Sequence, residues 1–471
     1  MGFVIQKTSP KIEFYSSKTN LPYQVFAKDN ESQQSGQNLQ SYSFQKSINN
    51  IAGTFQIVVK EDVDGFSNSN SFYNNVNTLD IVTISEGNDD IDFIGVVTTI
   101  SYAGQANGFQ KLINISGRSI EFLFEYLNIS LDATAMAWTQ GETNITVANL
   151  NVKFAVKEYT SKEDPGKETG AVSVKGALNT LFNSFCDVAR QKVPNLANTK
   201  IIDIINFWYG GSIFECDPEM KFKYPISSNL FTDGTINILS YIRNLLPSNI
   251  YEIYGIVKSG RPKIMVRQVP FNPEDWVKLP YLYIDSDFLT QFTFTKSIEE
   301  VYTVFYSYIE GSQISPAFQE ALNAIQNGLN MENSGAAWNK EKIARYGYKP
   351  LKCNFIGFHT PVATEMPDSF KKNIKKLNQD ICNWYGDLDT MLDATISVVK
   401  DSSRKRLKEG NGDIGERLIF NGGEFYITGN EHSWQYGQSI KVTYHCERGG
   451  NYTAGKYSEL KNITRPYGEL K

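Results

Sequence analysis

From about residue 40 to residue 130, short runs of aromatic and β-branched residues alternate with turn-forming clusters, and this rhythm restricts the chain to a mainly β fold. Tyr42-Ser43-Phe44-Gln45 leads to Thr54-Phe55-Gln56-Ile57-Val58-Val59, whose side chains suit a pleated, half-buried surface. Asn68 to Asn77, dense in Asn and Ser, reads as a loop. Ile81-Val82-Thr83-Ile84 and Phe93 to Ile100 flank Gly87-Asn88-Asp89-Asp90, which predicts a hairpin. Lys111 to Ser116 is a further strand, and Gly117-Arg118-Ser119 reads as a turn holding a paired arginine, before Ile120, Leu123, Phe124 and Leu127 recur at helical spacing. The same grammar returns near the C-terminus in Glu416 to Phe420, the turn Asn421-Gly422-Gly423, Glu424 to Gly429, and Ser439 to Tyr444. The chain thus begins and finishes in β-rich units, and a faint repeat links Asp92-Phe93-Ile94-Gly95 with Glu424 to Gly429.

The middle is mixed. A charged stretch, Ser161 to Glu168, interrupts any element crossing it, and Leu178, Leu181, Phe182, Phe185 and Val188 line one helical face. Gly234 to Leu246 predicts a helix with Asp233 as its cap and Pro247 as its stop. Tyr251 to Val257 and Lys263 to Arg267 flank Ser259-Gly260 as a hairpin. Phe288 to Tyr308 alternates as strands do, and Ser315-Pro316 opens a helix through Phe318, Leu322, Ile325 and Leu329. Asp368 caps a longer helix with Phe370, Ile374, Leu377, Ile381 and Trp384 on one stripe. Lys371, Lys372, Lys375 and Lys376 crowd its other side as a solvated face, docking to an acidic partner being the sharper alternative.

Chemistry is sparse. The 471 residues hold 29 Phe, 26 Tyr and 6 Trp but only three histidines, and a net charge of −5 gives no cationic field toward nucleic acid or anionic lipid. No apolar run reaches the roughly 18 residues of a membrane span. Five cysteines at wide spacing predict free thiols rather than a disulfide framework or metal knuckle. Adjacent strand residues His445 and Cys446 face opposite sides, so they form no nucleophile–base dyad, and His359 and His432 read as structural. No phosphate-binding glycine motif is present. No catalytic, metal or cofactor residues are assigned. Met1 to Lys7 has neither a secretory leader nor, with Gln6, a myristoylation pattern, and the expected place of assembly is the bacterial cytoplasm.

In order, Gly53-Thr54-Phe55-Gln56-Ile57, Leu79 to Ile84, Phe93-Ile94-Gly95-Val96-Val97 and Ile115-Ser116-Gly117-Arg118-Ser119 resemble the baseplate hub, or late-control, proteins of contractile phage tails and related injection machines. Leu79-Asp80 stands where many relatives carry Gly-Asp. Gly415 to Ile419, Phe425 to Trp434 with Tyr426, His432 and Trp434, and Tyr444 to Gly449 with Arg448 and Gly449 match the family's closing strands. The resemblance implies an α+β, mainly β fold of two tube-protein-like barrels carrying helical and mixed insertions. The expected units are an N-terminal barrel over 1–130, a mixed insertion over 131–285, second-barrel strands plus a helix over 286–352, a helical segment over 353–409 and completing strands over 410–471. It further implies a homotrimeric ring between a six-fold tail tube and a three-fold central spike, touching the tail tube protein, the spike protein, other baseplate proteins and the tape-measure protein. The particle would be a virion or injection device, with no specific nucleic acid bound, no membrane insertion and no cofactor. A tail-associated peptidoglycan hydrolase and an aromatic-rich carbohydrate-binding β protein are the alternatives.

Overall fold

The computed structural model describes residues 10–26, 37–61, 71–87, 90–104, 111–130, parts of 174–186, 199–216, 235–284 apart from 247 and 272, 288–310, 336–356, 368–388, 391–400, 412–420 and 423–451. The fold is mainly β, as the alternating sequence predicts, with helices packed around a curled sheet. The first seven strands are β1 (Lys11–Tyr15), β2 (Pro22–Phe26), β3 (Gln37–Ser47), β4 (Asn50–Glu61), β5 (Ile81–Ser85), β6 (Ile91–Gly104) and β7 (Lys111–Ser119). The middle holds β8 (Asn128–Ser130), β9 (Phe214–Cys216), β10 (Thr235–Asn237), β11 (Tyr251–Lys258), β12 (Arg261–Gln268), β13 (Tyr281–Tyr283), β14 (Leu289–Thr295), β15 (Val304–Glu310), β16 (Ala337–Trp338) and β17 (Pro350–Ile356). The last four are β18 (Leu392–Val399), β19 (Arg417–Phe420), β20 (Gly423–Gln435) and β21 (Lys441–Asn451).

Strands from both ends of the chain lie in one sheet, in the order β14-β18-β21-β20-β3-β4-β7-β6-β5-β1-β2, with β19 branching from β20 and β13 from β19. The two β-rich units of the sequence are therefore continuous, joined where β20 pairs antiparallel with β3. Alternation explains the register: β4 and β7 bury every second side chain, and a slip of one residue would turn Phe55, Ile57 and Val59 out of the core. One buried cluster runs through both ends, from Phe14, Phe44 and Phe93 to Phe425, Trp434 and Tyr444.

Smaller sheets flank this one. β11 and β12 form the predicted hairpin, and the positive φ angles of Ser259 (53°) and Gly260 (72°) give the two-residue turn whose twist suits antiparallel strands. The alternating stretch 288–308 divides: β14 joins the large sheet, whereas β15 pairs with β16 and β17 in a separate one. The helix Asp368–Tyr385 packs on that small sheet through Ile381 and Trp384, with Lys375 and Lys376 exposed as a solvated face requires.

Three local expectations need correction. Gly117-Arg118-Ser119 is not a turn: it lies inside β7, where Arg118 is opposite both Thr54 and Val96. Residues 235–237 are a strand paired with β8, and the helix begins only at Ile238, capped by Asn237, whose side chain accepts from the Ser240 N–H at 2.8 Å. Within the Asn-rich stretch, Phe72–Asn75 makes one helical turn because Phe72 is buried and the Glu61 carboxylate accepts from its N–H at 2.6 Å. Asp233, Pro247, the segment Ser161 to Glu168 and the helix expected from Ser315 lie outside the described residues. So do Leu181, Phe185 and Val188, while Val174, Leu178, Phe182 and Cys186 occupy one buried face at a spacing of four. Among the described residues no helix is long and apolar enough to cross a membrane.

Candidate functional site

The seam between β3 and β20 gathers most of the motif residues. His432 lies directly opposite Phe44 and Trp434 opposite Tyr42, so side chains on the same face are forced together. The His432 ring stacks on Phe44 at 4.4 Å between centroids, Phe44 stacks on Phe93 at 4.9 Å, and Phe93 meets Phe55 edge-on at 5.9 Å. Trp434 stacks on Tyr42 at 6.1 Å. These aromatic contacts weld N-terminal to C-terminal strands through oriented rings rather than loose apolar burial.

Two glycines make room for this. A Cβ on Gly95 would stand 2.5 Å from the Phe55 ring, and one on Gly117 would meet both that ring and the Val96 carbonyl oxygen. Glycine is thus needed here for the close approach of a ring to backbone within a strand, not for a turn. Gly117→Ala should destabilise by about 1–3 kcal/mol through overpacking; equal denaturation midpoints for variant and parent would refute this reading.

A buried charge cluster closes the seam. The Glu86 carboxylate, fully buried, accepts from Tyr42 Oη at 2.7 Å and Lys400 Nζ at 2.7 Å, and lies 2.6 Å from His432 Nδ1. Lys400 Nζ also reaches Asp92 at 3.1 Å, and Asp92 accepts from the Glu86 N–H at 2.7 Å. Burial alone would push the Glu86 carboxyl up, but His432 and Lys400 beside it hold it well below the usual carboxylate range. Burial, with Glu86 adjacent, drives the Tyr42 hydroxyl well above its ordinary value. His432 is therefore a satisfied structural histidine, held by Glu86 and Phe44. His445 is exposed while Cys446 is buried, the opposite-face arrangement expected of neighbours in a strand.

Of the remaining motif residues, all but Arg118 lie in a second region around Tyr426. Its hydroxyl donates to Glu252 Oε1 at 2.6 Å and accepts from Arg267 Nη2 at 2.6 Å, while Arg267 Nε pairs with Glu252 Oε2 at 2.8 Å. This ties the β11–β12 hairpin to β20. The Arg448 guanidinium lies 3.9 Å from the Trp384 ring centroid and donates to the Trp384 carbonyl, anchoring the long helix to β21. Gly449 leaves space for the Phe425 ring. Arg118 stands apart from both clusters, over Phe122 at 4.5 Å and paired with Glu125 at 3.1 Å.

Sequence reasoning did not find Glu86, Asp92, Lys400, Glu252 or Arg267. Each is an ordinary charged residue in or beside a strand, and Glu86 and Lys400 are 314 positions apart. A fully buried carboxylate requires a cation partner from elsewhere, and that burial shows only in the fold. Among the described residues no group of three His, Cys, Asp or Glu side chains is placed to hold a metal ion, and all five cysteines are free and buried.

No protein-family model and no curated protein matches the sequence. Several solved structures do resemble the fold at low identity. The tail protein from Neisseria meningitidis MC58 is 9% identical, with 93% of this chain and 96% of that chain covered and a TM-score of 0.45. The 43 kDa tail protein of prophage MuSo2 from Shewanella oneidensis is 10% identical, with 93% and 98% covered and a TM-score of 0.42. The E. coli c3393 protein, a component of the type VI secretion system described as similar to the T4 bacteriophage tail proteins gp27 and gp5, is 9% identical, with 90% and 76% covered and a TM-score of 0.38.

Proposed function

We propose that this chain is a structural, non-enzymatic hub in the baseplate of a contractile tail or related injection particle. Three copies form a ring that adapts a six-fold tail tube to a three-fold central spike. The observation that carries this reading is the seam: Phe55, Phe93, Gly95 and Gly117 from one end of the chain and His432 and Trp434 from the other gather in one sheet. In this reading the N-terminal and C-terminal strand groups of that sheet serve as two units side by side, which is what a three-membered ring needs to present six units to a tube. A ring under axial load also requires units that do not shear, and stacked rings with buried ion pairs at the seam resist sliding better than apolar contact alone.

The partners in this reading are the tail tube protein, the central spike protein, neighbouring baseplate proteins and the tape-measure protein. The net charge of −5 disfavours adhesion of DNA passing through the ring. Light scattering tests the reading directly: a mass near three times 53.2 kDa, alone or with the spike partner, is expected. A stable monomer with the partner present would overturn it.

A further inference from the structure

Among the described residues the large sheet ends in two strands that are paired on one side only, β14 and β2. β14 hydrogen-bonds to β18 on one side, and its other side has no strand among the described residues. Its sequence, Leu-Thr-Gln-Phe-Thr-Phe-Thr, carries no charge and no proline, and every residue from Thr290 to Thr295 is exposed. Natural edge strands are ordinarily blunted by lysine, proline or a covering element, so an uncharged aromatic edge is an unfinished pairing surface. Phe292 and Phe294 are 47% and 36% exposed, and they extend outward a ladder that begins with Phe420 and Phe425. Tyr283 and Ile298, before and after β14 in the chain, are more exposed still.

We propose that the β14 edge receives the edge strand of a second copy of this chain, namely β2. β2 is the opposite end of the same path of strands and, among the described residues, pairs only with β1. Its residues are uncharged like those of β14, and its one proline, Pro22, stands at the first position of the strand, where proline is tolerated, so joining the two edges from Tyr23 to Phe26 buries backbone donors and acceptors against each other and strands no ion. Because the two ends of one chain supply unlike halves of the contact, it is heterologous and closes only as a ring. This closure rests on the ring reading above, and it names the contact within that ring.

The first test places lysines where an edge strand ordinarily carries them. Gln291→Lys/Thr293→Lys changes two exposed positions on the face opposite the phenylalanines. The fold, followed by circular dichroism and the unfolding midpoint, is expected to be kept, while the concentration needed for self-association in sedimentation rises at least tenfold. The second test mixes proteins carrying Gln291→Cys, Thr293→Cys or Thr295→Cys with proteins carrying Leu21→Cys, Pro22→Cys or Val25→Cys; the native thiols are all buried. Disulfide-linked dimers are expected only when a β14 variant meets a β2 variant. An assembled protein that ignores the lysines and cross-links in no mixture would overturn this contact and leave the ring reading standing. A parent chain that stays monomeric at every concentration with the spike partner present would overturn both.

Discussion

Glu86→Ala is expected to cost about 3–5 kcal/mol, the usual penalty for removing one member of a buried ion pair and stranding the other. The carboxylate has no exposed side-chain surface, and Lys400, His432 and Tyr42 converge on it. Without it the Lys400 ammonium keeps Asp92 alone among the described residues, and the Tyr42 hydroxyl loses its acceptor in the core. Glu86→Gln should cost less, because the amide retains an acceptor oxygen for one of these donors. Hydrogen exchange of the β3 and β20 amides reads the effect where it occurs, since a chain of this size opens region by region. A loss below about 1 kcal/mol for Glu86→Ala would mean the cluster does not hold the seam. The pH dependence follows from the depressed carboxyl: its contribution is complete above its ordinary value of 4.5 and is lost progressively as pH falls below it.

Glu121 gives an effect of opposite sign. Burial pushes its carboxyl up to about 7, outweighing the hydrogen bonds from Ser119 and Tyr209 and the field of Lys46. It lies against Gly255 of β11, where a Cβ would stand 2.5 Å from the carboxyl carbon, and Tyr209 Oη is 3.4 Å away. An acid whose folded value is raised contributes fully below its unfolded value and loses that contribution as pH rises through the folded one. From 4.5 to about 7 the difference corresponds to about 3 kcal/mol at 1.36 kcal/mol per unit. Glu121→Gln should therefore flatten the decline between pH 5 and pH 8 and exceed the parent in stability at pH 8. Urea midpoints across that range decide the matter, and parallel curves for the two proteins would exclude Glu121 as the group responsible.

Local chemistry was readable in the sequence wherever a turn and its strands are neighbours. Ser259-Gly260 marks a hairpin because those two residues themselves set the geometry, and β19 and β20 pair antiparallel as the sequence on either side of residues 421–422 predicts. His432 and Trp434 were singled out by motif, but nothing in their surroundings announced Phe44 and Tyr42 as partners. Alternation tells which face a side chain takes and is silent on which strand lies beside it. Gly117 reads as a turn residue in the sequence because glycine serves both turns and close packing, and only the Phe55 ring against it distinguishes the two. Glu86 escaped notice because a carboxylate after a strand ordinarily meets water, and the cation that buries it follows a strand far along the chain.

The pairing of β3 with β20 also dictates when the protein can mature during synthesis. Glu86 and His432 are 346 residues apart, so at roughly 5–20 residues per second the ribosome needs roughly 20–70 s to supply the second after the first. Through that interval the Tyr42–Phe44 edge has emerged without its partner strand. Contacts of such long separation form late and slowly, which makes this edge the place where nascent chains are most open to mispairing with one another.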